Sequence, residues 1–227
     1  MQESFYLLAA LKKLGYLQTA RDPLWWPKSG TFEVVVGAIL TQQSRWEKVE
    51  ASLSALKKAN LLTLEALSSA DTQHIASLIK PSGFYNTKSK RLISLSQSIL
   101  KDFGSFETFY REVDRTWLLA QKGIGMESAD SILCYACHRP VLVVDSYTQR
   151  LLDALGYTLD DYMELQEWMQ QGIETNLDKV RRLYGEEADI ATVYARFHGK
   201  IVEYSKQHMR GKAVDVAPLL DALEESI

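Results

Sequence analysis

Apolar residues recur at intervals of three and four along nearly the whole chain, and this spacing limits the possible folds more than any other feature. It places apolar side chains on one face of an α-helix, whereas a half-buried strand requires alternation at every second residue. No long alternating stretch occurs, so we predict an all-α protein. The predicted helices cover 3–14, 31–41, 45–59, 63–69, 71–79, 86–102, 105–120, 126–137, 145–155, 162–175 and 188–207.

Residues that start and stop helices support these boundaries. Ser105 and Asp71 precede two predicted helices as N-cap residues, and Gly104 and Gly156 follow the ends of two others. No low-complexity segment and no repeat of fixed period divides the chain. Composition therefore reveals no domain boundary.

Composition and charge exclude several classes of protein. With 46% hydrophobic and 24% charged residues, the chain of 227 residues is expected to be globular rather than disordered. Its net charge of −3 provides no broad positive field, so any contact with DNA requires a local basic patch. No apolar run reaches the ~20 residues of a membrane span, and the N-terminus lacks the features of an export signal. We expect a monomeric cytoplasmic protein that makes no membrane contact.

Two glycines, Gly123 and Gly125, separate the predicted helices 105–120 and 126–137 in the segment QKGIGMES. A tight turn of this kind exposes backbone N–H groups at a helix N-terminus, and this geometry suits anions. Glycine permits a positive φ and the close approach of a phosphate. An ordinary helix–helix turn explains the same pattern, so both interpretations stay open at this point.

An acidic residue, Asp145, follows the apolar run VLVV and precedes a predicted helix, about 20 residues after Gly125. A carboxylate in this position commonly caps the helix by accepting hydrogen bonds from backbone N–H groups. Without other observations, capping is the simpler interpretation, and a chemical role needs further support.

The order of these features resembles the helix-hairpin-helix DNA glycosylases of the endonuclease III type. Besides the helix, the G-x-G hairpin, the second helix and the V-D pair, three segments match: VGAILTQQSRWEKVE at 36–50, PSGFYNTKSKRLISLS at 81–96 and YARFHGKIVEY at 194–204. The matches occur in the family's order and span Thr31 to Tyr204. The resemblance implies a helical fold and the removal of damaged bases from DNA.

The chain departs from this family at a position that matters for the reaction. Members that also cut the DNA backbone have a lysine two residues after the second hairpin glycine, and its amine forms a Schiff base with the sugar. Here that position holds Glu127, so the resemblance implies a glycosylase without strand-cutting activity. Lys122 stands where the family commonly has proline, and we expect it to meet a phosphate.

Cysteine usage bears on cofactors. Many members of the family bind a four-iron cluster through four cysteines that begin shortly after the His-Gly-basic segment. After Lys200 the sequence contains no cysteine, and Glu203 stands near the position of the first ligand, so we expect no iron–sulfur cluster and no other metal. The CYACH segment raises the alternatives of haem attachment or a redox pair at Cys134 and Cys137. Because both thiols fall on an apolar helix, we expect core thiols and no haem.

Large aromatic residues are dense on both sides of the second predicted helix. PLWWPKSG contains Trp25, Trp26 and Pro27, and Trp46 follows the helix. A WWP segment in a cluster-free chain resembles the 3-methyladenine DNA glycosylases of this family. An alkylated purine carries positive charge and π-faces that an aromatic pocket can cover. Core packing is the alternative for each tryptophan, although Trp25 and Trp26 of a helical segment could not both face the same core.

The resemblance and the substrate chemistry together assign roles to residues. Asp145 would stabilise the positive charge that develops on the deoxyribose, or activate water. The expected base pocket comprises Trp25, Trp26, Pro27, Trp46 and Lys200. The expected DNA contacts are Gln43, Phe84, Lys88, Lys90, Arg91, Lys122, Gly123 and Gly125. Gln43 and Phe84 would fill the space left by the flipped nucleotide, whereas a solvated helix face is the alternative for each basic residue.

The resemblance implies two helical lobes with the substrate in the cleft between them. The central lobe would comprise about residues 31–140, with the helix-hairpin-helix at about 105–137, and the second lobe would combine 1–30 with 141–227. The expected partner is double-stranded DNA that contains alkylated bases. A hypothesis from another class is a non-catalytic helix-hairpin-helix module that only binds DNA, in which Asp145 is a cap and the tryptophans belong to the core.

Overall fold

The computed structural model describes residues 4–18 and 23–224, and the chain divides into two compact units. We call Lys28–Arg139 the hairpin unit. The terminal unit joins the segment up to Pro27 to the segment from Pro140 onward. Helices dominate both units, which confirms the predicted all-α class, and the strands of the described residues form one short hairpin.

The helices follow one another along the chain with short connections. A 3-10 turn at Lys80–Ser82 precedes α6, and a π-helical segment at Ile132–Ala136 continues α9. Strands β1 (Met209–Arg210) and β2 (Ala213–Val214) pair antiparallel. The α-helices are α1 (Ser4–Lys13), α2 (Phe32–Leu40), α3 (Trp46–Lys58), α4 (Leu64–Ser68), α5 (Thr72–Leu78), α6 (Tyr85–Phe103), α7 (Phe106–Glu112), α8 (Arg115–Ala120), α9 (Met126–Ser131), α10 (Ser146–Ala154), α11 (Tyr162–Glu174), α12 (Leu177–Tyr184), α13 (Ile190–His208) and α14 (Ala217–Glu224).

Several helices begin at a short polar side chain that accepts a hydrogen bond from a backbone N–H of the first turn. Ser105 Oγ accepts from the N–H of Thr108 at 3.1 Å, and Asp71 Oδ1 accepts from the N–H of His74 at 2.8 Å. Both predicted N-caps are therefore confirmed. Gly104 follows α6 with φ 74°, as expected for a glycine beyond a helix end.

Helix α2 lies at the centre of the hairpin unit. Its residues from Val34 to Leu40 are all buried, as expected for a helix that is apolar on every side. Helix α6 contacts α2, α4 and α5, and buries Leu92, Leu95 and Ile99. Because α2 is buried along its length, the turn that follows Leu40 starts from a fixed point.

Helices α1 and α13 form much of the core of the terminal unit. Leu7 and Leu11 of α1 belong to the same buried apolar cluster as Phe197 of α13. This packing fixes the helix that also carries His198 and Lys200. Among the helices of the described residues, none combines the length and the apolar character that crossing a bilayer requires.

The predicted helix 105–120 is wrong in detail, because the structure contains two helices there, α7 and α8. Val113 and Asp114 take extended conformations between them, and the Asp114 carboxylate accepts a hydrogen bond from the first turn of α8. A local cap thus interrupts an apolar pattern that continues across both helices. The sequence pattern alone predicts the apolar face but not the interruption between α7 and α8.

Helices α12 and α14 and the β1–β2 hairpin are absent from the sequence prediction. Helix α12 buries only Val180 among its eight residues, so its apolar periodicity is weak. The tryptophan segment is also not helical: Trp25 has φ 78°, and residues 23–30 form turns and bends. Trp25 and Trp26 therefore do not lie on a helix, and helix geometry does not decide whether both can face the same core.

Candidate active site and DNA-binding hairpin

Asp145 caps α10, so the capping interpretation is confirmed. Its Oδ1 atom accepts hydrogen bonds from the backbone N–H groups of Tyr147 and Thr148, each at 2.9 Å, and from Thr148 Oγ1 at 3.2 Å. The apolar residues before it, from Leu142 to Val144, are buried and anchor the chain at this point. The cap occupies one carboxylate oxygen and leaves the second for another contact.

That second contact is with His198 of α13. Asp145 Oδ2 lies 3.4 Å from His198 Nε2, and the two side chains are 15% and 4% exposed respectively. Burial by itself raises the pKa of Asp145, but the hydrogen bond and charge of His198, with the hydrogen bonds from Thr148, outweigh it and lower the pKa below its ordinary value. The arrangement favours an ionised carboxylate that is partly open to solvent.

The sequence marks His198 only as part of the segment YARFHGKIVEY and predicts no contact with Asp145. The two residues are distant in sequence, and neither periodicity nor a local motif joins them. Packing of α10 against α13 brings them together.

Trp25 extends this group. Its ring meets the His198 ring edge-on, with 5.3 Å between centroids and an interplanar angle of 87°. Its Nε1 donates to Glu203 Oε1 at 3.1 Å. Gly199 makes room for the indole, because a Cβ atom there would lie 2.5 Å from Trp25 Cγ. Trp25 is half-buried and is therefore held in a defined position with part of its surface open.

The other predicted pocket residues occupy different environments. Trp26 is buried and meets Trp25 edge-on at 6.3 Å between centroids, whereas Pro27 is exposed. Trp46 belongs to the hairpin unit, where it is the half-buried first residue of α3. The structure thus brings Trp25 and Trp26 into contact, and it places Trp46 in a separate unit.

Lys200 is buried, and its ammonium donates to the backbone carbonyl of Tyr16. Burial, together with the charges of Arg196 and Lys12, lowers the pKa of Lys200 to about 8. The buried Lys200 therefore has both a hydrogen-bond partner and a lowered pKa.

The G-x-G turn connects α8 to α9, and its two glycines differ in conformation. Gly123 has φ 86°, a conformation that strains a residue with a side chain, and a Cβ atom there would displace the Arg91 guanidinium. Gly125 caps α9 with φ −95°, so the expectation of a positive φ is wrong at this position. Apart from its chain neighbours and its own helix backbone, no atom of the described residues lies within 4 Å of a Cβ built on Gly125, so its backbone is open to approach.

An ion pair that sequence reasoning missed joins the two hairpin helices. Arg115 of α8 donates from Nε to Asp130 Oδ1 at 2.8 Å and from Nη2 to Asp130 Oδ2 at 2.7 Å. The Asp130 side chain is fully buried. A bidentate pair of this geometry fixes the crossing of α8 and α9, and therefore fixes the turn between them.

Gln42 connects the hairpin turn to the turn after α2, and sequence reasoning also missed it. Its Nε2 donates to the Gly123 carbonyl and to Ser128 Oγ, each at 3.0 Å, and its Oε1 accepts from Arg91 Nη1 at 2.8 Å. Arg91 is half-buried, and its guanidinium lies beside Gly123 at the hairpin.

The prediction that Lys88 contacts a phosphate is contradicted by its burial. Only 1% of the residue is exposed, and its ammonium donates to two backbone carbonyls, those of Leu40 and Ser82. The face of α6 that carries Lys88 is turned into the unit. Lys90 on the same helix is exposed, and so is Lys122 at the hairpin.

Gln43 and Phe84 occupy two exposed turns of the hairpin unit. Both have the left-handed conformation, with φ 52° and φ 47° respectively, which is uncommon for residues with a side chain. Phe84 is 64% exposed. A large aromatic group held in water on a constrained turn is consistent with the predicted contact with DNA.

The two thiols of the CYACH segment lie in the core of the hairpin unit, as expected, whereas His138 is exposed. Cys134 and Cys137 are buried and form no disulfide. Burial raises the pKa of both thiols, that of Cys137 to about 12, so neither is a reactive thiolate. With only these two cysteines, the chain does not fit a cluster held by four thiolates. Within residues 4–18 and 23–224, no group of three or more His, Cys, Asp or Glu side chains could hold a metal ion.

Comparison with known proteins identifies the family. The family model described as HhH-GPD superfamily base excision DNA repair protein matches residues 36–175, more than half of the chain. A protein of Methanocaldococcus jannaschii, whose name assigns it provisionally as a DNA repair glycosylase, is 36% identical over 197 residues, which cover 84% of this chain and 83% of that protein. Endonuclease III of Thermotoga maritima is 28% identical over 126 residues, covering 56% of this chain and 57% of that protein.

Solved structures agree with this assignment. The crystal structure of H. pylori 3-methyladenine DNA glycosylase (MagIII) bound to 1,N6-ethenoadenine matches with a TM-score of 0.88 and 48% identity, covering 92% of this chain and 99% of that chain. A trapped endonuclease III–DNA covalent intermediate matches with a TM-score of 0.71 and 17% identity, covering 98% and 96% of the two chains, and shows the shared fold. This chain therefore belongs to the HhH-GPD superfamily of base excision DNA repair proteins, and it is a DNA glycosylase with an endonuclease III-like fold.

Proposed function

We propose that this glycosylase removes alkylated purines, above all 3-methyladenine, from double-stranded DNA by hydrolysis of the N-glycosidic bond and without cutting the strand. The main support for the proposal is the Asp145 carboxylate. His198 favours its ionised state, and the half-buried ring of Trp25 contacts the same histidine. The similarity to a 3-methyladenine DNA glycosylase at 48% identity supports the choice of substrate.

Asp145 acts on the sugar in this proposal. Cleavage of the glycosidic bond develops positive charge on the deoxyribose, and a nearby carboxylate stabilises that charge or activates water. A lowered pKa keeps the carboxylate negative at neutral pH. Because 3-methyladenine in DNA is already cationic, it leaves readily, and the enzyme needs no general acid for the base.

Glu127 supports the absence of strand cutting. It is exposed in the first turn of α9, two residues after Gly125, where strand-cutting members of the family have lysine. A carboxylate cannot form a Schiff base with the sugar. Water is therefore the proposed nucleophile.

The proposed base pocket uses Trp25 and Trp26, with Pro27 and Lys200 as further candidates, and Trp46 of the hairpin unit is a separate candidate for contact with the base. An aromatic face attracts a cationic purine more strongly than it attracts neutral adenine. The hydrogen bond from Trp25 to Glu203 and the space provided by Gly199 fix one indole in advance of binding. A ring fixed in advance loses little conformational entropy when the base arrives.

The proposed contacts with DNA come from the hairpin and from nearby basic residues. Backbone N–H groups at Gly123 and Gly125, with Lys122, Lys90 and Arg91, would bind phosphates without reading the base sequence. Gln43 and Phe84 would fill the space left by the flipped nucleotide. Duplex DNA is thus the proposed macromolecular partner.

A release assay tests this function directly. Duplex DNA treated with a methylating agent is incubated with the protein, and the free bases are separated by chromatography. We expect released 3-methyladenine, an intact DNA strand, and loss of release in Asp145→Asn. A protein that binds this DNA but releases no base would instead be the non-catalytic DNA-binding module.

A further inference from the structure

Lys88 joins two turns of the hairpin unit that are distant in sequence. Its Nζ donates to the carbonyl of Leu40, the last residue of α2, and to the carbonyl of Ser82, the last residue of the 3-10 turn, each at 2.8 Å. The two carbonyls therefore converge on one buried amine. One turn continues toward Gln43 and the other toward Phe84.

The second turn is held by Lys88 at two points. The backbone N–H of Lys88 donates to the Phe84 carbonyl at 2.9 Å, while its side chain binds Ser82. Gly83 lies between these two contacts with φ 70°. The backbone on both sides of Gly83 is therefore bound to the same residue, which restricts the direction in which the exposed Phe84 side chain leaves the turn.

The first turn is also constrained. The N–H of Thr41 donates to the Gly37 carbonyl at 2.8 Å, and the N–H of Ser44 donates to the Thr41 carbonyl at 3.0 Å. Between them Gln43 is exposed with φ 52°. A left-handed conformation in a residue with a side chain persists only where surrounding contacts determine it. Lys88 supplies one such contact at Leu40.

A lysine suits this position despite the cost of burial. A buried ammonium must be hydrogen-bonded, and the carbonyl at the end of α2 is an acceptor that the helix itself leaves unpaired. Burial and the nearby charge of Arg91 lower the pKa of Lys88 to about 8. Its long side chain and several N–H donors allow one residue to reach both turns.

We propose that Lys88 is a positioning residue for base extrusion, which holds the turn of Gln43 and the turn of Phe84 together so that both side chains enter the duplex as one unit. This inference rests on the proposed function, in which these side chains fill the space left by the flipped nucleotide. Lys88 itself touches neither the substrate nor the reacting atoms.

Lys88→Met is the variant that tests this role, because methionine fills most of the same volume but donates no hydrogen bond. Removing hydrogen bonds from a charged donor is expected to slow single-turnover excision from duplex DNA about ten-fold or more. Excision from a single strand should be unchanged, because no partner base must be replaced there. Equal losses on both substrates would indicate a merely structural role and overturn the proposal.

A second measurement uses Phe84→Ala. If Lys88 acts through the turns, Lys88→Met should slow excision from duplex DNA by a smaller factor in the Phe84→Ala background than in the wild type, because only the Gln43 turn then depends on it. Independent, multiplying losses would contradict the proposal. Ile99→Val, a conservative change at a buried position of the same helix, is the control for general destabilisation of α6. Lys88→Gln, whose shorter side chain cannot bridge both carbonyls, replaces Lys88→Met if that variant does not fold, and it should show the same loss on duplex DNA and not on a single strand.

Fluorescence separates this inference from the proposed function. 2-Aminopurine placed beside an abasic-site analogue in duplex DNA brightens when the base unstacks, and this signal needs no bond cleavage. We expect brightening with the wild-type protein and a smaller change with Lys88→Met. A wild-type protein that brightens the probe but releases no alkylated base would contradict only the proposed function. The same brightening in both proteins would overturn the role of Lys88.

Discussion

Asp145 Oδ2 lies 3.4 Å from His198 Nε2, while Asp145 Oδ1 accepts the N-terminal hydrogen bonds of α10. One carboxylate therefore fixes a helix start and also faces a buried imidazole. The Trp25 ring lies nearly perpendicular to that imidazole and contacts it. Carboxylate, imidazole and indole thus form one contiguous group in the terminal unit, and substitutions at each of them have distinguishable consequences.

Asp145→Asn should abolish most excision and leave the fold intact. Asparagine caps a helix about as well as aspartate, so the thermal midpoint should stay close to that of the wild type. The loss of a negative charge that acts on the transition state should reduce single-turnover excision by about 100-fold or more. Binding to DNA with an abasic-site analogue, measured by fluorescence anisotropy, should persist. Near-normal excision would show that Asp145 is only a cap.

His198→Gln should move the acid limb of the excision profile to higher pH. His198 lowers the pKa of Asp145. In the wild type the carboxylate therefore stays ionised through the ordinary pH range of aspartate titration, and it becomes protonated only as the pH falls through the lowered pKa. Without the imidazole that pKa rises, and activity is lost at a higher pH.

The pH dependence should be measured with an N-methylated purine whose positive charge does not change with pH. His74→Gln, at an exposed histidine of the hairpin unit, is the matched control and should keep the wild-type acid limb. An identical acid limb in His198→Gln and the wild type would show that His198 does not govern the ionisation of Asp145.

Borohydride should trap no covalent complex between this protein and DNA that contains an abasic site. Trapping requires a Schiff base from an amine, and Glu127 occupies the position at which strand-cutting relatives carry lysine. The measurement is denaturing gel electrophoresis after reduction, with an endonuclease III as the positive control. Efficient trapping would identify another reactive amine in this chain.

Trp46→Phe should keep most excision of 3-methyladenine, whereas Trp46→Leu and Trp25→Leu should lose ten-fold or more. A desolvated cation over an aromatic face is worth up to ~2 kcal/mol, or roughly a factor of 30 in rate if it is expressed in the transition state. Single-turnover rates give the result, and circular dichroism melts control for folding. If the Phe and Leu variants are equally fast, the tryptophans only shape the cavity.

Local sequence determined the features of this protein that depend on interactions within a few residues. Helix-forming periodicity and short polar caps such as Ser105 and Asp71 act within a few residues, so they predict the all-α class and most helix boundaries. The cap at Asp145 and the positive φ of Gly123 belong to the same group. Each depends on contacts or backbone freedom within one turn of the chain.

Tertiary structure decided what depends on contacts between distant segments. Lys88 has the sequence context of an exposed basic residue, yet α6 turns it inward onto the carbonyls of Leu40 and Ser82. The pairing of Asp145 with His198 likewise exists only because α10 packs on α13. Periodicity identifies the buried face of a helix but not the partner that covers it, because the partner is chosen by packing across the whole unit. For that reason the sequence names the candidate carboxylate, and only the folded chain sets its ionisation and its neighbours.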